Sequence, residues 1–285
     1  MSQPIVTLFC AFSRDNFTKQ WLRDLDHFEH DVTRTRIAII VDGDFQRSER
    51  MLRKYFKEKP YASVHFQVNR DHIPNGARLL ARRNRIAFVK EQSKDLIRKA
   101  KTEYVLSLED DTAFRGKSLK RLLDPFKKME NIGFVSGLQV GRWGVKYVGA
   151  WNATVTMEGV VRLESITPNF DTVGNQYIYI SAGGFYFYLT PANLYLEYNY
   201  VWTDEIWGPD VLYGLWLKSK GYGVLADTAS VVGHRTEYKG TLWPDGTITK
   251  IEHYKDAEGK WQRHDKDQTS NYRAPQDQGL EELGG

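Results

Sequence analysis

The sequence predicts an α/β domain with a mainly parallel central sheet, helices on both faces, a mixed second half and a polar C-terminal extension. Short apolar runs alternate with segments of helical periodicity through residues 1–130. Glycine and aromatic residues then break up the pattern, and beyond His234 polar residues dominate. Strands that alternate with helices need crossover connections, which are right-handed and make neighbouring strands parallel.

The elements follow in order. Ile5 to Ala11 is a short apolar run, and Trp21, Leu22, Leu25 and Phe28 follow at helical spacing. A second run, Ile37 to Val41, stops at Asp42, and Met51, Leu52, Tyr55 and Phe56 predict the next helix. Val64 to Val68 reads as a third strand. Ala77 to Lys101 reads as a helix with Leu79, Ile86, Val89, Ile97 and Ala100 as apolar positions, and Tyr104 to Leu108 as the next strand. Gly133 to Thr156 and Tyr177 to Leu189 predict antiparallel or mixed strands. Pro209 to Lys220 is the last helix: Gly208 caps it, Pro209 suits its first position and Gly221 its end. Asp245-Gly246 and Glu258-Gly259 suit hairpin turns, and Gln268 to Gly285 reads as a frayed tail.

Composition narrows the class. At 285 residues, with 41% hydrophobic and 13% aromatic content, the chain can bury a substantial core. No stretch approaches the roughly 20 apolar residues that cross a bilayer, and the N-terminus lacks the charged-then-apolar pattern of a secretory signal. The expectation is a soluble, cytoplasmic protein. A single cysteine, Cys10, excludes an intramolecular disulfide framework and a cysteine metal cluster, and reads as a buried structural thiol. The net charge of +4 permits an anionic partner. Basic residues outnumber acidic ones from Arg78 to Lys128, which suits either solvated helix faces or a phosphate-binding surface.

In an open parallel sheet, ligands bind outside the carboxyl ends of the strands. Three polar clusters fall at such ends: Ser13-Arg14-Asp15, Asp42-Gly43-Asp44 and Glu109-Asp110-Asp111. Adjacent carboxylates raise one another's pKa unless a cation holds them, and hard oxygen ligands suit Mg²⁺ or Mn²⁺. A solvated acidic turn is the plainer alternative. Arg83, four residues after Leu79 and three before Ile86, falls on the inward stripe and needs an anionic partner. A metal-bound phosphate or an internal carboxylate would serve. Asp210 sits in the first turn of the last helix, where the macrodipole favours a carboxylate in any case. It follows Thr203-Asp204-Glu205-Ile206-Trp207, a mixture of aromatic platform and bases that suits holding an acceptor and removing its proton. His234 closes the run Ser230 to Gly233, as a structural histidine or an added metal ligand.

These motifs, in this order, resemble glycosyltransferases of the A-type (GT-A, Rossmann-like) fold, closest to the family 2 nucleotide-sugar transferases. The resemblance runs from about Ile5 to His234. "AFSRD" stands where the family has a Pro-x-Tyr-Asn-Arg-like turn, so Ser13 and Arg14 are the matching residues. Asp42 in "IIVDGD" matches the aspartate that contacts the nucleotide base. "NGARLLARRNRIAFVKEQ" resembles the Gly-x-x-x-Ala-Arg-Asn helix and gives Arg83 and Asn84 a donor-binding role. "YVLSLEDD" resembles the Asp-x-Asp element, with Asp111 and Glu109 toward the metal and Asp110 toward the donor's ribose or the metal. "EIWGPDVLYGLWLKSKGYG" resembles the segment that carries the catalytic base, placing Asp210 there, with Lys218 near the family's arginine. "ADTASVVGH" gives His234 to the metal. "SAGGFYFY" takes the place of a glycine-rich acceptor loop, so that Gly183, Gly184 and Trp207 would face the acceptor.

The resemblance implies a donor-binding half over residues 1–130, an acceptor and catalytic half over 131–234, and a hairpin and tail extension over 235–285. It implies a transferase that uses Mn²⁺ or Mg²⁺ and a nucleotide-sugar, by default a UDP-sugar, to glycosylate an acceptor hydroxyl with inversion. The basic bias and the opening "VTLFCAFSRDNFTKQWLRDL" resemble viral, bacteriophage-type enzymes that glycosylate hydroxymethylated pyrimidines in DNA. In that setting the compartment is the host cytoplasm, and Trp207, Tyr186 or Trp151 would stack the base. The competing readings are a saccharide acceptor in cell-envelope polysaccharide synthesis, a noncatalytic nucleic-acid-binding protein, and a metal-dependent nuclease or phosphotransferase.

Overall fold

The computed structural model describes residues 5–70, 79–140, 148–155, 161–166, 176–200, 207–236, 240–243, 248–249, 251–255 and 261–265. Its first half alternates β1 (Val6–Phe12), α1 (Thr18–Asp26), β2 (Thr35–Asp42), α2 (Gln46–Glu58), β3 (Ser63–Asn69), α3 (Leu79–Ala100) and β4 (Tyr104–Glu109). Then come β5 (Thr112–Ala113), α4 (Leu119–Lys128), β6 (Ile132–Gln139), β7 (Ala150–Val155), β8 (Val161–Ser165), β9 (Tyr177–Tyr179), β10 (Ala182–Gly183) and β11 (Phe187–Pro191). The chain continues through α5 (Ala192–Glu197), α6 (Pro209–Ser219), β12 (Gly223–Thr236), β13 (Gly240–Leu242), β14 (Ile248–Thr249), β15 (Ile251–Lys255) and β16 (Trp261–Asp265).

The main sheet runs β14-β13-β12-β6-β11-β4-β1-β2-β3. β1 pairs in parallel with β2 and β4, and β2 with β3, as the alternating pattern predicts. β11 enters antiparallel between β4 and β6, and β12 then runs parallel to β6, so the sheet as a whole is mixed. β7, β8 and β10 form a smaller antiparallel sheet. The strands flanking Asp245-Gly246 and Glu258-Gly259 pair antiparallel, while both turns and the tail Gln268 to Gly285 lie outside the described residues.

The strands have near-continuous apolar runs because both sheet faces are covered. Val6, Leu8, Cys10 and Phe12 of β1 and Ile37, Ile39 and Val41 of β2 face one cluster with α1, α2 and α4. The alternate residues Phe9, Ala38 and Ile40 face the other, with α3, α5 and α6. Each large side chain buried this way contributes roughly 1.5 to 3 kcal/mol. Cys10 is a buried free thiol whose pKa burial pushes up, as its place in an apolar run predicts. The inward stripe of α3 needs one correction: Ile86 is 41% exposed, whereas Ala87, one position further round the helix, is buried. α6 begins and ends as its glycines and proline predict. Gly208 is the N-cap, Pro209 leads, and Gly221, at φ +83°, completes the close, with Gly221 N–H on Lys218 O (3.0 Å) and Tyr222 N–H on Leu217 O (3.0 Å). Among the described residues, no helix is long and apolar enough to cross a membrane.

Candidate functional site

The parallel register aligns the carboxyl ends of β1, β2 and β4: Ala11 sits opposite Glu109, and Phe12 opposite Val41. Ser13, Arg14, Asp42 and the acidic triplet therefore emerge along one edge of the sheet. Asp110 and Asp111 turn back under the edge and are 3% and 1% exposed. Two adjacent buried carboxylates need a counter-charge, and the chain supplies one. Arg14 reaches Asp110 Oδ1 with Nε (3.3 Å) and Asp111 Oδ2 with Nη1 (3.0 Å). Asp110 is also held from the backbone, because Ser13 N–H donates to its Oδ2 at 2.8 Å. Burial raises the Asp110 pKa, Arg14 opposes that shift and Asp111 adds to it.

His234 approaches the same turn from β12. Its Nε2 lies 3.4 Å from Asp111 Oδ2, while Nδ1 lies 3.3 Å from the carbonyl of Val140. The carbonyl can only accept, so Nδ1 carries the proton that bonds it. With Nδ1 turned to the carbonyl, Nε2 is the ring nitrogen that faces the Asp111 carboxylate.

Behind the turn lies a lock. Arg235 donates from its backbone N–H to Asp111 O (2.7 Å), from Nη1 to Thr112 O (2.5 Å) and from Nη2 to Asp24 Oδ2 (2.6 Å). Phe114 N–H also donates to Asp24 Oδ2, at 2.8 Å. Gln139 Nε2 bonds Thr112 Oγ1 and Gly233 O, each at 3.1 Å, and Thr112 Oγ1 donates to Tyr186 O at 3.0 Å. The acidic turn is thus tied to α1, β6, β12 and the residue before β11.

A second group of charges gathers on the α3 face. Alternation along β4 puts Glu109 on the same side as Ser107, opposite Leu106 and Leu108. Lys90 of α3 is buried there, its Nζ 2.5 Å from Ser107 Oγ and stacked against Phe9, Phe185 and Tyr188. Burial pulls its pKa down to about 8, against the fields of Glu109 and Asp210. Asp210 sits at the first turn of α6 with Oδ1 accepting from Val211 N–H at 3.0 Å. Its side chain folds over Gly208, where a Cβ would stand 2.4 Å from Oδ1, so the cap must be glycine for the carboxylate to lie there. Burial raises the Asp210 pKa, while hydrogen bonds from the helix start and the charges of Arg83 and Lys90 lower it.

The other sequence candidates have varied placements. Asp42 is gripped by Arg85 through Nε (2.8 Å) and Nη2, and receives Asn69 Nδ2 at 3.1 Å. Arg83 lies in the field of Asp210, whereas Asn84 is exposed. Trp207 and Trp151 are half-buried, and residues 203–206 lie outside the described set. Gly183 and Gly184 are buried and set by packing: a Cβ would meet Phe134 at 2.7 Å in the first case and Tyr186 at 2.3 Å in the second. Tyr186 cannot offer a stacking face, because it is 5% exposed with its hydroxyl against the carbonyls of Gly137 (3.1 Å) and Gly149 (3.0 Å). Lys218 bonds Ser181 Oγ at 3.0 Å. Sequence reasoning missed Asp24, Arg85, Lys90 and Arg235. Only Lys90 carried a local signal, as a lysine at helical spacing from the buried Ala87, Lys94 and Ile97.

By donor type, the two carboxylates and the imidazole near Arg14 suit a hard divalent cation. Among the described residues, no three such side chains already close around a common point. The cation between the two carboxylates is Arg14's own guanidinium.

No protein-family model matches the chain, and no curated protein sequence matches it. Among solved structures, it is similar to A197 from STIV, at 10% identity and a TM-score of 0.48, covering 87% of this chain and 98% of that one. It is also similar to the mannosyltransferase PcManGT from Pyrobaculum calidifontis, solved in complex with GDP-Man and Mn²⁺. That likeness has 12% identity and a TM-score of 0.48, covering 80% of this chain and 58% of the mannosyltransferase. At these scores neither likeness bears on activity, which has to be argued from the residues of the site.

Proposed function

We propose that this chain is a metal-dependent glycosyltransferase of the GT-A kind, moving a sugar from a nucleoside-diphosphate sugar to an acceptor hydroxyl with inversion. The observation that carries this reading is the meeting of Arg14, Asp110, Asp111 and His234 at the carboxyl edge of parallel strands. Asp111, His234 and either Asp110 or Glu109 would hold Mn²⁺ or Mg²⁺, which supplies charge stabilisation to the departing diphosphate. Arg14 and Arg83 add positive charge for the same phosphates. Asp210 takes the acceptor's proton as its oxygen bonds the anomeric carbon and the bond from that carbon to the diphosphate breaks. The raised pKa of Asp210 strengthens it as a base, and Arg83 and Lys90 favour its ionised form. Asp42 and Arg85 would meet the nucleotide base, for which uracil is the default.

For the acceptor, we put hydroxymethylated pyrimidine in DNA first, on the basic balance of the chain and the half-buried Trp151 and Trp207. A saccharide is the second reading, favoured by a specific observation. The basic residues of α3 and α4 lie on helices that cover opposite faces of the sheet, whereas a duplex needs its phosphate contacts along one surface.

The test is incubation with Mn²⁺ and a panel of nucleotide-sugars, with hydroxymethylated DNA, plain DNA and saccharides as competing acceptors, read by mass spectrometry. Sugar on hydroxymethylated DNA is the expected result, and transfer to saccharide alone would remove the DNA acceptor. Asp111→Ala should abolish donor use, whereas Asp210→Asn should keep donor binding and lose transfer. Absence of nucleotide-sugar binding and turnover throughout would sink the transferase reading.

A further inference from the structure

Arg14 bridges Asp110 and Asp111, the carboxylates assigned above to metal and ribose. A guanidinium and a divalent cation answer the same electrostatic need in that place, and both cannot occupy it at full contact. The two partners differ in freedom. The carboxylates are 3% and 1% exposed, while Arg14 is 26% exposed, on the segment between β1 and α1.

The aspartates also have tethers that do not involve the arginine side chain. Ser13 N–H holds Asp110 Oδ2 at 2.8 Å, and Arg235 N–H holds the Asp111 carbonyl at 2.7 Å. His234 Nε2 stands 3.4 Å from the same Asp111 oxygen that Arg14 contacts. Withdrawal of the guanidinium therefore leaves two positioned carboxylates, with the His234 imidazole beside Asp111. The guanidinium, for its part, has a planar fork that suits phosphate oxygens as well as carboxylate oxygens.

Resting on the glycosyltransferase reading, we infer that Arg14 is an exchangeable placeholder for the metal. It neutralises Asp110 and Asp111 when no metal is bound and swings to the diphosphate when metal and donor enter together. The chain thereby discourages metal from binding alone and couples its uptake to the nucleotide. Arg14 acts as a positioning residue with two stations, and the coupling between metal and nucleotide is reciprocal, as any linked binding must be.

The experiment is a Mn²⁺ titration of the full chain without sugar, followed by electron paramagnetic resonance of the free ion, for wild type, Arg14→Ala and Arg14→Ala/Asp111→Asn. Each is titrated alone and with UDP or GDP, and circular dichroism checks that each is folded. Without nucleotide, Arg14→Ala should bind Mn²⁺ on the order of tenfold more tightly than wild type, because the competing charge is gone. A nucleoside diphosphate should tighten Mn²⁺ strongly in wild type and much less in Arg14→Ala, and Asp111→Asn should cancel the gain. Equal or weaker Mn²⁺ binding by Arg14→Ala, with wild type still binding the metal, overturns the placeholder and leaves the transferase reading standing. Absence of Mn²⁺ binding in every variant, with and without nucleotide, overturns both.

Discussion

Two arginine-carboxylate groups flank the same acidic turn and differ in almost every physical respect. Arg14 meets Asp110 and Asp111 from the open edge of the sheet and is 26% exposed. Arg235 meets Asp24 from behind, with both side chains 1% exposed. The rear pair is also imperfect: among the described residues, Asp24 Oδ1 and Arg235 Nε find no hydrogen-bond partner. Burying two charges at such cost is hard to justify by stability alone, since well-packed apolar residues often do as well. What the rear pair provides is direction, because one guanidinium fixes the Thr112 carbonyl at the turn and α1 together. The front pair provides charge that can be exchanged, and the rear pair provides a frame that cannot.

The sharpest way to break this comparison is at the rear. Arg235→Met leaves Asp24 buried and uncompensated, and should cost about 3 to 5 kcal/mol in chemical denaturation. Added Mn²⁺ should recover little of that loss. Asp24→Leu/Arg235→Met should regain much of it, and a double variant as unstable as the single would show that the pair stabilises through more than its own charges. At the front, Arg14→Ala should cost about 1 to 2 kcal/mol in metal-free buffer, and Mn²⁺ should restore the loss by binding the folded state alone. A deficit that persists in saturating Mn²⁺ would make the two arginines equivalent and end the distinction.

A fourth carboxylate gives the smallest and most pH-dependent effect. Burial holds the Asp210 pKa above its usual range, against the pull of the helix start, Arg83 and Lys90. The folded chain then binds that proton more tightly than the unfolded chain. Its contribution to stability is full below the unfolded pKa, roughly 3.9, and is lost as pH rises through the folded one. Asp210→Asn should therefore gain on the order of 0.5 to 1 kcal/mol over wild type at pH 7 and lose that advantage toward pH 3.5. Thermal melts at both pH values decide it, and a variant destabilised equally at both would contradict the assignment of burial as the cause.

How far the sequence reaches depends on the range of the signal. Short apolar runs with helical segments between them are local, and they announce β1 to β4 and the edge where Asp42, Ser13 and the triplet meet. Gly208, Pro209 and Gly221 mark both ends of α6 for equally local reasons. The antiparallel entry of β11 between β4 and β6 has no such mark, because pairing partners far apart in the chain leave no periodic trace. The charges behave the same way. Arg14 was legible as a site residue, but its hold on Asp111, 97 residues away, was not. Arg85 reaches Asp42, a contact between α3 and the end of β2 that only the packed helix decides. Ile86 turned outward because the face that packs on the sheet lies one residue further round, at Ala87.

The separation of Asp24 from Arg235 by 211 residues also sets an order of events during synthesis. At ordinary translation rates, on the order of ten seconds pass between the making of Asp111 and of Arg235. Through that interval the acidic turn exists without its rear frame. Arg14, in contrast, is made before either aspartate it neutralises, so the growing chain carries a counter-charge for the pair from the moment they appear.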